Sequence, residues 1–413
     1  MITKLFHNAH IFTPIDAGHP VAGPRQGKIS EIEHGALLVR NGLIDQIGAE
    51  NDIRAASQNL TIDQEIDCGH ACVIPGFVDP HTHICFAERR EHEFDLRIAG
   101  AAYLEILRQG GGILSSVKAV RNTSQHDLAL RTQLHISRAQ QLGATTLEIK
   151  SGYGLDTESE LKMLAAIDQA GRCVAADVVP TFLGAHAIPL PFQDRADDFV
   201  DQVIQEMLPA VKAQGIARFC DVFCEQGVFS IDQGRRILSA AKTLGLGLKI
   251  HADEVHDLGG AGLAAELQAT SADHLLAAAD ANIANMAAAG VVATLLPATA
   301  YSLRKPYARA RDMIAANLPV ALATDCNPGS SFTESMPFVI GLAVLNMLMT
   351  PAEALTAATL NSAYAIGMAD RVGSLDVGKQ ADFLLLDGQS PTILAYHAGV
   401  SPVIQVFKRG ERI

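Results

Sequence analysis

The chain has no tryptophan, and its aromatic residues together make up only 5% of 413 residues. Basic side chains are also in deficit. Thirty-two Lys and Arg stand against 45 Asp and Glu, for a formal net charge of −13. That balance argues against nucleic acid or an anionic membrane surface as the main partner. An anionic small molecule would need a local Arg or Lys to overcome the field. The N-terminus, Met1 to Asn8, has no long apolar run, so no signal peptide is expected. The longest apolar stretch, near Phe338 to Met349, is too short for a membrane span, carries Asn346 and stops before Pro351. It reads as a buried helix. The seven cysteines are an odd number with no Cys-x-x-Cys spacing; Cys68 and Cys72, like Cys220 and Cys224, are four apart. Reduced thiols in a cytoplasm are the expectation. No low-complexity tract or internal repeat is evident.

A chain that is 48% hydrophobic over this length can bury a large core, which predicts two domains or one large α/β barrel with an appendage. Residues 1 to about 70 read as β, and Asn41-Gly42 between apolar flanks is a strong hairpin signal. The C-terminal segments Gly378–Asp387 and Val403–Gly410 read as turns with strands. Neither end suffices alone, so residues 1–70 and 370–413 are expected to pair in one small β-sandwich domain. Residues 71–369 alternate strand-like and helix-like segments. Candidate strands are Ala71–Asp79, Thr145–Lys150, Asp177–Leu183, Phe219–Cys224, Leu248–His251, Ala272–His274, Val291–Leu296 and Val320–Asp325. Helical patterns include Asp127–Leu142, Glu158–Ala170, Phe199–Ala213 and Ile231–Leu244. Eight strands with intervening helices fit a (β/α)8 barrel. The Gly-rich stretch 84–144 suits a loop region at an active site.

Functional groups in such a barrel sit at the C-terminal ends of the strands. The first candidate strand ends in His81-Thr82-His83, and residues two apart on an extended chain share a face. The fifth ends in His251, the sixth in His274 and the eighth in Asp325. Any one of these could be a hydrogen-bonded structural residue. Together, four histidines and an aspartate on one rim describe a metal site. Lys249, two residues before His251, faces the interior with it and is expected to form a structural ion pair with Glu148 or the neighbourhood of Lys150.

This pattern resembles the amidohydrolase superfamily: His-x-His on strand 1, His on strands 5 and 6, Asp on strand 8, and a closing Gly378-Lys379-Gln380-Ala381-Asp382-Phe383 segment. The resemblance implies His81, His83, His251 and Asp325 as metal ligands, with His274 beside the activated water. Binuclear members carry a bridging lysine at the end of strand 4, where this chain has Cys224-Glu225-Gln226. One ion per chain follows, zinc on the nature of the ligands, with iron as the other candidate. Such an ion lowers the pKa of bound water from about 16 toward roughly 7.

Further motifs narrow the resemblance: Phe86–Phe94, Tyr103–Ile106, Gly110–Ile113, Ser151–Leu155, Leu183–Pro189 and Asn327–Ser331. In this order they look like the superfamily members that open a five-membered imidazolone lactam bearing a propionate. The resemblance implies substrate contacts at Arg90, Tyr153, His186, Glu254, Asn327, Gly329 and Ser330, with Glu254 and His274 as the catalytic acid/base pair. Other readings stand beside these. Arg90 could form a surface ion pair with Glu88 or Glu93, Tyr153 could pack, His186 could cap a loop, and Asn327–Gly329 could be a plain turn. Related enzymes suggest a homodimer. The rival within the class is a deaminase of a nucleobase-like ring, which would release ammonia and have no need of Arg90.

Overall fold

The structure is a computed structural model that describes residues 2–100 and 111–413. Two sheets organise it. The first joins both chain ends: β1 (Thr3–Pro14), β2 (Ile29–Arg40), β3 (Leu43–Ala49), β4 (Gln64–Asp67) and β5 (Cys72–Pro75) from the N-terminal side. The second holds β6 (Phe77–Asp79), β7 (Ala144–Lys150), β8 (Asp177–Ala185), β9 (Phe219–Cys224), β10 (Gly247–Ala252), β11 (Ser271–His274), β12 (Val292–Leu295) and β13 (Val320–Leu322). The chain then returns to the first sheet with β14 (Phe383–Leu386), β15 (Val403–Lys408) and β16 (Glu411–Arg412).

The first sheet runs in the order β16-β15-β14-β5-β1-β2-β3, with β4 paired to β1. Asn41 and Gly42 turn from β2 into β3 with φ of +52° and +80°, the left-handed pair that a tight hairpin requires. Three phenylalanines from opposite chain ends lock this sheet. Phe6 meets Phe383 and Phe407 edge-on at centroid separations of 4.8 and 5.1 Å, and Phe383 stacks on Phe407 at 4.7 Å. The small sheet is therefore built on contacts made late in the chain, as the pairing of two insufficient ends requires.

The second sheet is parallel throughout and follows chain order from β6 to β13. It closes on itself beyond the strand ends: Asp325 N donates to His81 O (3.1 Å) and His83 N donates to Cys326 O (2.9 Å). This is the expected eight-stranded barrel, and its closure seam brings the His-x-His segment beside Asp325. The candidate strand Ala71–Asp79 is divided. Its first half, β5, pairs with β1 and β14 in the small sheet; its second half, β6, pairs with β7 in the barrel. Gly76 makes the crossing, where an added Cβ would stand 2.3 Å from Thr145 Oγ1. One apolar run thus serves two cores, which periodicity alone does not reveal.

Helices cover the barrel. Gln125–Gln141 starts at Ser124 and Thr157–Gly171 at Asp156, each side chain accepting from a backbone N–H three residues on. Ile231–Thr243 starts with a full capping box of Ser230 and Gln233. The helix expected over Phe199–Ala213 is interrupted by a π turn at Val203–Met207, just before Pro209. Proline has no N–H to donate back along the helix, so the ladder shifts there. Met336–Asn346 is the buried apolar helix. No helix among the described residues is long and apolar enough to cross a membrane. All seven cysteines are free, and only Cys173 is exposed.

Candidate metal centre

The barrel rim gathers the ligand atoms of the expected set. His81 Nε2 lies 3.2 Å from His83 Nε2, which lies 3.2 Å from His251 Nε2. Asp325 Oδ1 is 3.6 Å from His81 Nε2 and 3.5 Å from His83 Nε2. His81, His274 and Asp325 form a second, overlapping group of close ligand atoms. All five side chains are buried. Ligands around a tetrahedral ion at bond lengths of about 2.1 Å stand roughly 3.4 Å apart, so these separations fit one cation.

The imidazole tautomers agree with that. His81 Nδ1 is 2.6 Å from Asp273 Oδ2, so the ring donates there and its Nε2 carries a lone pair. His251 Nδ1 sits 3.1 Å from Asp221 Oδ2, which likewise leaves its Nε2 as the lone-pair atom. Both lone pairs face His83 Nε2, and one N–H there can satisfy only one of them. His83 Nδ1 and His274 Nδ1 are buried without hydrogen-bond partners, and the close approach of His251 Nδ1 to Asp221 falls short of hydrogen-bond geometry. Crowded lone pairs on converging Nε2 atoms are what a cation resolves.

Charge states follow from burial. Burial, with the Lys150 cation nearby, holds His81 well below the usual histidine range. Burial and the neighbouring histidines do the same for His83. His251 is also opposed by burial, but Asp221 outweighs it and the net shift is upward. Burial pushes the Asp325 carboxyl up to about 6. Thr299 Oγ1 donates to Asp325 Oδ2 at 2.5 Å and leaves Oδ1 facing the histidines. His274 and Asp325 hold φ of +78° and +52°, left-handed backbone that is costly for residues with a side chain. Strain of this kind gathers where geometry is over-determined by function.

Beneath the ligands lies a layer of buried charge. Lys150 Nζ donates to Glu148 Oε1 (2.8 Å) and Asp221 Oδ2 (2.7 Å), with Asp273 Oδ2 at 3.8 Å. Burial alone would push this lysine down; Asp221, Glu148 and Asp273 outweigh it and hold the ammonium above the usual lysine range. Lys249 forms an ion pair as expected, but with Asp273 rather than Glu148. Its Nζ donates to Pro80 O (3.1 Å) and Ala365 O (3.3 Å), with Asp273 as its nearest carboxylate at 3.7 Å. Glu148 is engaged by Lys150 instead, because it stands two residues away on the same face of β7.

Asp221, Asp273 and Thr299 are neighbours of the candidate ligands that motif reading missed, and Lys150 was noted only as a neighbour of Lys249. The available signal was charge inside apolar strands: Glu148 and Lys150 on β7, Asp221 on β9, Asp273 on β11. Replacing Lys150 with Met is expected to leave Asp221 and Glu148 unpaired in the barrel and to lower stability by about 3–5 kcal/mol. Urea denaturation of the two proteins checks this.

The remaining candidates fall into two groups. His186 stacks on His83 at 4.9 Å, and Tyr153 lies 5.5 Å from His186 and 6.1 Å from His83 by ring centroid. His186 Nδ1 donates to Gly152 O at 3.1 Å, and burial pushes the ring down to about 3, so it is neutral with Nε2 free to accept. Glu254 Oε1 is 3.8 Å from His274 Nδ1. Arg90 makes the ion pair with Glu93: Nε donates to Oε1 at 2.8 Å and Nη2 to Oε2 at 2.5 Å. Its Nη1 lies against Gly329, where an added Cβ would stand 2.6 Å away. The Asn327–Ser330 turn is internally bonded, with Asn327 Oδ1 accepting from Gly329 N (2.8 Å) and Ser330 N (2.7 Å). In this arrangement those two amides are already used. Tyr103–Ile106 and Gly110 lie outside the described residues.

An eight-stranded barrel carrying His-x-His and an aspartate at one point defines the class of metal-dependent barrel hydrolases. Residues 72–413 match the sequence profile of the amidohydrolase family. The chain is 63% identical over 413 residues to the imidazolonepropionase of Desulfotalea psychrophila, covering all of both chains. It is 61% identical over 409 residues to that of Syntrophobacter fumaroxidans, covering 99% of this chain and 96% of the other. Among solved structures it resembles a zinc-bound adenosine deaminase from Xanthomonas campestris, with a TM-score of 0.70 at 19% identity over 100% of this chain and 92% of that one. That likeness concerns the fold. The chain belongs to the amidohydrolase family and, within it, to the imidazolonepropionases.

Proposed function

We propose that this chain hydrolyses 4-imidazolone-5-propanoate to N-formimidoyl-L-glutamate, a step of histidine degradation. The water oxygen bonds to the ring carbonyl carbon, the ring C–N bond breaks, and a proton passes to the leaving nitrogen. The observation that carries this reading is full-length 63% identity to an imidazolonepropionase, supported by His83 Nε2 lying 3.2 Å from the Nε2 atoms of His81 and His251 and 3.5 Å from Asp325 Oδ1.

In this reading His81, His83, His251 and Asp325 hold one Zn2+, with Fe as the alternative. Bound there, such an ion would supply an activated water at neutral pH and Lewis acidity toward a carbonyl. Asp273 and Asp221 fix the ring orientations of His81 and His251. Glu254 takes the proton from water and delivers it to the ring nitrogen, with His274 orienting it. Tyr153 and the neutral His186 line the ring side of the site, and Arg90 faces the propionate. Asn327, Gly329 and Ser330 receive the product's new carboxylate once their turn opens toward it. Free buried thiols support a cytoplasmic setting. Exposed Leu345, Leu348 and Tyr396 support a homodimer.

The test is an assay of the purified chain. Imidazolone absorbance should disappear with equimolar formimidoylglutamate and no ammonia. Ammonia release would instead make the chain a deaminase.

A further inference from the structure

β9 and β10 run side by side in the barrel with Cys224 opposite Ala252, so the residues just beyond them, Glu225 and Asp253, emerge as neighbours at the rim. Both are buried acids. Asp253 turns the chain with φ of +49° and reaches forward along it. Its Oδ1 accepts from Leu258 N (3.1 Å), Gly259 N (3.1 Å) and Gly260 N (2.9 Å), and its Oδ2 from Ala261 N (2.9 Å). Glu225 reaches across to the same loop from the neighbouring strand. Its Oε2 accepts from Val255 N (2.9 Å) and His256 N (3.3 Å), and its Oε1 from His256 Nδ1 (2.8 Å) and Gln226 N (2.8 Å).

Glu254 stands between these two anchors. Its carboxylate accepts no hydrogen bond from a described residue, and His274 Nδ1 lies 3.8 Å from its Oε1. Val255, His256 and Asp257 are exposed, so packing gives this stretch little support. A group that takes a proton from water and passes it on needs free lone pairs at a fixed place. Donors on its own oxygens would fix it, but they would also favour the charged form and weaken it as a base. Holding the backbone on either side fixes the position and leaves the lone pairs free. Glu225 is suited to that task. Burial opposes its charge, but the Val255, Gln226 and His256 donors outweigh burial and hold the carboxyl below the usual glutamate range. The turn that carries Tyr153 is held by the same device, with Glu160 accepting from Gly152 N (3.0 Å), Gly154 N (2.7 Å) and Leu155 N (2.9 Å).

We propose that Glu225, at the end of the fourth barrel strand, is a positioning residue for proton transfer: its carboxylate clamps the Val255 and His256 amides and so sets where the Glu254 carboxylate stands. This rests on the reading of Glu254 as the proton carrier and deepens it by naming what holds that carrier in place. Glu225 acts through Glu254 alone.

The test measures kcat, KM and metal content for wild type, Glu225→Gln, Glu254→Gln and the double variant. The glutamine side chain sets an NH2 donor against the N–H donors on one side of the clamp and releases that side. A reacting group displaced by about 1 Å loses on the order of 10^2-fold in rate, so Glu225→Gln should lower kcat about 10- to 100-fold with KM within about threefold of wild type. Metal content should stay at the wild-type level. In the Glu254→Gln background the same substitution should lower kcat no further, because the group it positions is already gone. Losses that multiply in the double variant would overturn the proposal and leave Glu225 as a general support of the rim. An unchanged kcat in Glu225→Gln would overturn it too, as would a loss of metal that accounts for the loss of kcat. Should Glu225→Gln fail to fold, Glu225→Asp, which keeps the charge but falls one methylene short of Val255 and His256, runs the same cycle. Normal turnover in Glu254→Gln would refute the proton-carrier reading itself, a result read without any variant at Glu225.

Discussion

His81→Ala is expected to purify with metal far below one ion per chain and to turn over about 10^4-fold more slowly, a loss of roughly 5 kcal/mol in transition-state stabilisation. His81 is the ligand shared by both groups of converging atoms, the one with His83 and His251 and the one with His274 and Asp325. Removing it opens both at once. Asp273→Asn is the informative comparison. Asp273 Oδ2 holds His81 Nδ1 at 2.6 Å and Oδ1 accepts from Ser271 Oγ at 2.7 Å. The asparagine keeps the shape but loses the charge that fixes the tautomer. Metal affinity should drop about 10- to 100-fold, and excess zinc should restore turnover to Asp273→Asn but not to His81→Ala. Metal analysis of the dialysed proteins reads both. A His81→Ala protein that keeps one ion per chain would remove His81 from the ligand set.

The contrast between His81 and Asp273 also marks what the sequence could say. The candidate ligands were legible because each sits at the C-terminal end of a recognisable strand, and His81 and His83 share a face by alternation. The barrel was legible for the same reason, since strand and helix periods alternate cleanly from Thr145 onward. Asp273 stood in plain view beside His274, yet nothing local says that it reaches His81, 192 positions away. Lys249 shows the same blindness in reverse. Its inward direction was readable, but its partners, Pro80 O, Ala365 O and Asp273 on β11, are brought there by closure of the barrel. The division of Ala71–Asp79 at Gly76 was hidden because both halves are apolar and both are buried, each in a different core. Arg90 had two readings. Its pairing with Glu93 is realised, and its Nη1 lies against Gly329.

Glu254→Gln should lower kcat about 10^2- to 10^4-fold while the protein keeps its metal. The glutamine preserves the length and most hydrogen-bonding capacity of the side chain, but its amide cannot accept a proton at neutral pH. Glu254 is not among the atoms that converge on the ion, so metal content should not follow the loss of activity. It is partly exposed at the strand-to-loop corner after β10, with His274 Nδ1 3.8 Å from its Oε1. Glu254→Asp retains the carboxylate one methylene short and should fall between wild type and Glu254→Gln. Normal turnover in Glu254→Gln would pass the proton-transfer role to His274. His274→Ala then becomes decisive because the His274 ring lies near His81 and Asp325. If it slows turnover with one ion still bound, His274 acts on the proton. If the ion is lost with the activity, His274 is a fifth ligand and the transfer must run through water alone.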